Sequence, residues 1–203
     1  MRKRVVVSQR CDPVVGRDET RDALDIHLSA LLWELNFLPV PMTSAISDHE
    51  EYIQALMPDA VVLSGGSNIG QTVERDRLET ALLLYATTND LPVLGICRGM
   101  QMINHHQGGN LRQISGHVAV RHLIFGPLAV PSQPEVNSFH NIGIVDNDLG
   151  NDLEAVAWSN DGAVEALRHR KLPWLGIMWH PERDTPATDF DQTLIRRHLE
   201  FLR

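Results

Sequence analysis

The sequence predicts an α/β fold, a three-layer α/β/α sandwich around a mostly parallel, flavodoxin-like sheet with a small antiparallel insertion. Three observations carry that reading. Short apolar runs alternate with helical patterns through the first half, as in a parallel sheet covered on both faces. The run Val93-Leu94-Gly95-Ile96 ends on Cys97, held between Gly95 and Gly99, the spelling of a strand that turns sharply into a helix. The second half then changes to hairpin-like pairs, with Asn160-Asp161-Gly162 as a turn between two apolar-rich runs. The chain has 203 residues and no repeat, low-complexity tract or long linker, so residues 1–203 read as one domain.

Taken in order, residues 4–8 read as a buried strand, after which Leu24, Leu28, Leu31 and Leu35 recur at helical steps. Residues 37–40 resemble a second strand bounded by Pro41, 49–57 a weak helix, and 60–64 a third strand followed at once by Gly65 and Gly66. Leu78, Leu82 and Tyr85 mark another helix, and residues 92–96 form the strand that delivers Cys97. Beyond it, 117–125 and 142–145 are strand-like, and 155–158 pairs with 164–168. Residues 174–179 form a last apolar strand running into His180-Pro181-Glu182, and Phe190, Leu194, Ile195, Leu199 and Leu202 outline a closing amphipathic helix. Ligands of open α/β sheets gather beyond the carboxyl ends of the strands. The loops carrying Gly65-Gly66, Cys97 and His180 are therefore expected to share a site.

Composition narrows the partners. With 18 basic and 26 acidic residues the formal charge is −8, which repels a phosphate backbone and argues against nucleic acid. Two cysteines, Cys11 and Cys97, without a secretory signal point to a reducing, cytoplasmic setting and no disulfide. The basic start Met1-Arg2-Lys3-Arg4 is followed only by Val5 to Val7 before Ser8, too short for a signal core, and no apolar run approaches a membrane span.

A thiol at the start of a helix meets unpaired N–H groups and the positive end of the dipole, both of which favour the thiolate. It also needs a base. His180 ends a strand, and Glu182 follows across Pro181, whose fixed φ can hold both side chains to one side. Donors for a developing oxyanion are offered by the amide of Arg98, just after the nucleophile, and by an amide in Ser64-Gly65-Gly66-Ser67. Each motif alone has a blander reading: a small buried hydrophobe for Cys97, a solvated loop for His-Pro-Glu, an ordinary turn for Gly-Gly. Together they favour chemistry.

His105-His106 stands out among ten histidines, but no companion set shows ligand spacing, so neither a metal nor a cofactor is expected. Gln9, Arg10 and Arg21 flank the exit of the first strand, suited to a phosphate or carboxylate of a leaving group or simply solvated. Cys11 has no histidine and carboxylate pair beside it and is read as non-catalytic.

The segments Ser64-Gly65-Gly66, Gly95-Ile96-Cys97-Arg98-Gly99-Met100-Gln101, Glu135-Val136-Asn137-Ser138-Phe139-His140 and Trp179-His180-Pro181-Glu182 together resemble the class I glutamine amidotransferase-like superfamily. Arg98 and the Val-Asn-Ser-x-His segment resemble its γ-glutamyl hydrolase branch, which includes γ-glutamyl-γ-aminobutyrate hydrolases. The Asn-Ser-Phe-His-Asn spelling is also similar to that of γ-glutamyl-CDP-amidate hydrolases. The resemblance implies a Cys97-His180-Glu182 triad, an oxyanion hole from the Gly66 and Arg98 amides, and substrate binding by Gly65, Gln101, Asn137, Ser138 and His140. It implies a small-molecule γ-glutamyl substrate and cleavage of its amide. The alternative is a glutaminase subunit passing ammonia to a separate synthase, and a further rival is a non-catalytic binding domain, against which the intact triad argues. One departure is visible: many relatives carry an acidic residue shortly after the paired glycines, where this chain has Asn68. Homodimer or monomer is left open.

Overall fold

A computed structural model describes residues 1–129 and 134–200. The chain opens with β1 (Arg4–Val7), a hairpin of β2 (Arg10–Pro13) and β3 (Thr20–Ala23), α1 (Ile26–Glu34), β4 (Leu38–Pro41) and α2 (His49–Leu56). Next come β5 (Ala60–Leu63), α3 (Val73–Asn89), β6 (Val93–Ile96) and α4 (Arg98–His106). The second half contributes β7 (Arg112–Gln113), β8 (Val118–Leu123), β9 (Glu135–Phe139), β10 (Ile142–Gly143), β11 (Leu153–Trp158), β12 (Val164–His169), β13 (Trp174–Ile177) and α5 (Asp189–Leu199).

Seven strands form the central sheet in the order β11-β12-β13-β6-β5-β1-β4. From β4 to β13 all pairings are parallel, while β11 and β12 add an antiparallel edge. Strands β5, β6 and β13 are buried at every position, which is why they read as unbroken apolar runs and not as alternating ones. Two smaller antiparallel pairs, β8 with β9 and β7 with β10, make up the insertion. The fold class is the one the sequence predicts.

Helix boundaries follow the caps. Asp25 accepts a hydrogen bond from the His27 N–H, so α1 begins after Leu24, and Asp48 caps α2 through the Glu51 N–H at 3.0 Å. Leu202, assigned to the closing helix, lies outside the described residues. The β2/β3 hairpin and β9 were not expected. In the hairpin, strands of Arg-Cys-Asp-Pro and Thr-Arg-Asp-Ala are exposed or half-buried throughout and show no alternation.

Candidate active site

Cys97 sits between β6 and α4 with φ 50° and ψ −104°, a conformation that costs about 1–3 kcal/mol and persists only where the surroundings enforce it. They do so through close backbone approach. A Cβ on Gly99 would lie 2.0 Å from the Leu63 carbonyl oxygen, and one on Gly95 would lie 2.5 Å from the Gly99 carbonyl carbon. The Cys97 N–H is fixed by the Ile177 carbonyl at 2.7 Å. The thiol therefore rests at the N-terminus of α4, 7% exposed.

From the end of β13 comes His180, and Pro181 opens a short 3-10 turn that carries Glu182. The His180 Nδ1 lies 2.7 Å from Glu182 Oε1, both side chains being buried. Burial pulls the imidazole pKa down, but hydrogen bonds to Cys97 and Glu182 outweigh it and hold the value at about 9. Cys97, His180 and Glu182 are thus brought together, and the imidazole is kept protonated at neutral pH.

Behind the elbow lies a buried ionic network that sequence reasoning missed. Arg98, 1% exposed, pairs with Glu79 and Asp76. Glu79 Oε1 accepts from Arg75 Nε at 2.8 Å and from Ser8 Oγ at 2.7 Å. Arg75 also donates to the Ser64 carbonyl at 2.7 Å and to the Gly65 carbonyl at 3.0 Å. A trans peptide directs its C=O and N–H to opposite sides. With the Gly65 carbonyl turned onto Arg75, the Gly66 N–H faces away from that guanidinium. Gly65 packs so closely on His180 that a Cβ there would stand 2.7 Å from Cε1.

Strand alternation divides the segment 135–140. Asn137 and Phe139 face His180: the Asn137 amide donates to the His180 carbonyl at 2.8 Å and accepts from the His180 N–H at 2.9 Å. The Phe139 ring centroid stands 6.0 Å from that of the imidazole, and the Arg183 guanidinium lies 4.3 Å from the same phenyl centroid. Ser138 and His140 lie on the opposite face, where Ser138 Oγ donates to the His117 carbonyl at 2.7 Å and His140 Nδ1 meets the Ile142 carbonyl at 3.1 Å. Gln101, one turn into α4, donates to that same Ile142 carbonyl at 2.9 Å. Of the polar residues beside the first strand, Arg10 reaches the site: it lines a cavity of about 240 Å³ with Gly65, Gly66, His180, Glu182 and Arg183. Gln9 instead donates to the Met42 carbonyl at 2.9 Å, Arg21 pairs with Glu19, and Cys11 packs against Asp22 and Ser44, burial raising its thiol pKa. His106 packs 6.0 Å from the Trp174 ring.

The family model described as glutamine amidotransferase class-I matches residues 23–200. The chain belongs to the class I glutamine amidotransferase family. This amidotransferase-family chain is 33% identical over 155 residues to the γ-glutamyl-CDP-amidate hydrolase of Campylobacter jejuni, covering 73% of each chain. It is also 35% identical over 147 residues to the carbamoyl phosphate synthase small chain of Staphylococcus haemolyticus, covering 68% of this chain and 37% of that one. A solved structure of a candidate GMP synthase component from Thermoplasma acidophilum superposes with a TM-score of 0.75 at 21% identity, over 98% of this chain and 94% of that one. No helix among the described residues is long and apolar enough to cross a membrane.

Proposed function

We propose that this chain hydrolyses the γ-glutamyl amide bond of a small-molecule conjugate through a Cys97 thioester. The observation that carries the reading is His180, held by Glu182 at 2.7 Å beside a thiol on a strained elbow. The Cys97 sulfur attacks the γ-carbonyl carbon, forming a C–S bond, while the amides of Gly66 and Arg98 receive the oxyanion. His180 gives its proton to the departing nitrogen as the C–N bond breaks. Water then attacks the thioester, His180 takes its proton, and glutamate leaves as the C–S bond breaks. These steps call on neither a metal nor an organic cofactor.

Asn137 acts as a positioning residue, since both of its amide atoms grip the backbone of His180. Gln101, held on the Ile142 carbonyl, and Gly65, against the imidazole, border the acyl side of the site. Ser138 and His140 face away from His180 and are given no substrate contact in this reading. Arg10, which also pairs with Asp12, and Arg183 line the cavity beside His180 together with Asp25 and Glu182, and the two guanidinium groups offer donors to an anionic leaving group. The similarity to a γ-glutamyl-CDP-amidate hydrolase, over nearly three quarters of both chains, supports a phosphate-bearing amidate as that group.

The likeness to a carbamoyl phosphate synthase small chain favours the second reading, a glutaminase that feeds ammonia to a separate synthase. Turnover of glutamine, γ-glutamyl amines and γ-glutamyl-CDP-amidate by the isolated protein separates the two. Hydrolysis predicts kcat/KM for a larger conjugate at least tenfold above that for glutamine. A preference for glutamine, rising with an added synthase, would overturn it.

A further inference from the structure

Outside the thiol site, four titratable side chains converge where the β8/β9 hairpin packs on the central sheet. They are His117 before β8, His122 within it, His140 after β9, and Glu165 on β12. Measured to Glu165 Oε1, His117 Nδ1 lies at 3.3 Å, His122 Nε2 at 3.5 Å and His140 Nε2 at 3.7 Å. Glu165 is fully buried, His117 and His140 are 4% and 3% exposed at the side chain, and His122 closes the rim at 18%. Yet none of these inward atoms has a hydrogen-bond partner among the described residues, and neither does the second Glu165 oxygen. A carboxylate buried this way, met only by imidazoles at 3.3–3.7 Å, is expensive.

The outward nitrogens are engaged. His117 Nε2 meets Asp161 Oδ2 at 2.9 Å, His140 Nδ1 the Ile142 carbonyl at 3.1 Å, and His122 Nδ1 the Leu123 carbonyl at 3.3 Å. Each ring thus donates outward to a carboxylate or carbonyl, the arrangement that orients metal-ligating histidines, and its inward nitrogen is free to ligate once any proton shared with Glu165, as at His117, is displaced. The donor atoms of His117, His140 and Glu165 all lie within 4.8 Å of one another, and with metal–nitrogen bonds of ~2.0–2.1 Å neighbouring corners of a tetrahedron stand about 3.3–3.4 Å apart, a contraction that small side-chain movements supply.

Backbone geometry shows how the donors share one side. His117 and His122 are five apart, which in a regular strand would set them on opposite faces. Ala119 has φ 56°, and the register slips by one residue between Val118 and Val120. This bulge returns His122 to the face that His117 and His140 occupy.

We propose that His117, His140 and Glu165 form a structural site for a divalent transition metal, which the rim residue His122 closes as fourth ligand, zinc being the ion that suits three imidazoles and one carboxylate. Zinc would tie the inserted hairpin to β12. The other face of that hairpin carries Asn137, so the tie would also steady the grip on His180.

The test is zinc titration of the full-length, chelator-stripped protein at neutral pH, read by calorimetry and thermal unfolding. One zinc per chain is expected, with a Kd below about 1 µM, as for closed structural sites. At a hundredfold excess over Kd the thermal midpoint should rise by about 5–10 °C. Cobalt in place of zinc should show tetrahedral d–d bands without thiolate-to-metal charge transfer, which separates this site from the Cys97 and Cys11 thiols. His140→Ala and Glu165→Gln should each weaken binding at least 100-fold, and the exposed Asp161→Asn about 10-fold. Because a change at buried Glu165 can impair folding, the rim variant His122→Ala provides a second reading and should bind at least 10-fold more weakly. Absence of stoichiometric zinc, a thiolate band with cobalt, or undiminished binding by both His122→Ala and His140→Ala would overturn the proposal.

Discussion

Glu79, Glu182 and Glu165 are three buried glutamates, and they differ in how many oxygens find a partner. Both Glu79 oxygens are taken, by Ser8 and Arg75 on one side and Arg98 on the other. Glu182 uses one oxygen on His180, and its Oε2 has no hydrogen-bond partner among the described residues. Neither oxygen of Glu165 is hydrogen-bonded among those residues. Burial charges all three a similar desolvation cost, so what meets that cost distinguishes their roles. The saturated carboxylate fixes a frame, the half-engaged one is proposed to orient a reacting imidazole, and the one met only by imidazoles is proposed to take a cation.

This ranking can be broken residue by residue. The largest effect is expected for Glu182→Gln, which keeps the shape but loses the charge that sustains the imidazolium. By analogy with other orienting carboxylates, kcat should fall by about 10³–10⁴-fold with little loss of stability. Its pH profile should move as well. His180 has a folded pKa of about 9, above the ordinary 6.5, so the imidazolium's contribution is complete below about pH 6.5 and lost as pH rises through 9. Wild-type kcat/KM should hold through neutrality and fall above about pH 9, and Glu182→Gln should draw that alkaline limb to lower pH. Coincident alkaline limbs would remove Glu182 from its role.

Glu79→Ala comes next and acts on stability. Removing it strands Arg75 and the Glu79-facing side of Arg98 in a dry interior, at about 3–5 kcal/mol. Urea unfolding would show this, and a loss below about 1 kcal/mol would mean the network is decorative. Asn137→Ala should lower kcat about 10–100-fold with a smaller change in KM, because it frees the backbone of His180 without touching substrate. Equal losses in binding and turnover would instead put the Asn137 amide on the substrate. Last comes Glu165→Gln in chelator, whose loss of stability in urea unfolding should be smaller than that of Glu79→Ala, because its contacts to His117, His122 and His140 are longer, at 3.3–3.7 Å. With zinc present, the same variant should lack the metal-dependent rise in thermal midpoint.

The elbow and the parallel half of the fold were legible because their signals are local: apolar runs buried on both faces, glycines beside Cys97, and a His-Pro-Glu at a strand end. Asn137 was singled out through its motif as a substrate contact, but its grip on a backbone 43 residues away leaves no mark in sequence spacing. Strand β9 was hidden because Asn137 and Ser138 are polar residues buried with partners, which imitates a turn. Arg75 and Glu79 could have been found. They share a stripe with Leu78, Leu82 and Leu83 on α3, and charges on an apolar stripe signal a buried pair. The histidine cluster was beyond reach, since it depends on a bulge at Ala119 and on the packing of β12 against a distant hairpin. The adjacent His105-His106 drew attention instead, although neighbours on a helix point about 100° apart.

The central claim is that Cys97 carries the acyl group. Acid-quenched turnover of a γ-glutamyl conjugate, followed by mass spectrometry of the intact protein and its peptides, tests this most directly. A γ-glutamyl increment on the Cys97 peptide, absent from Cys97→Ala together with turnover, is the predicted result. Undiminished turnover by Cys97→Ala, with no adduct on the wild-type peptide, would contradict it.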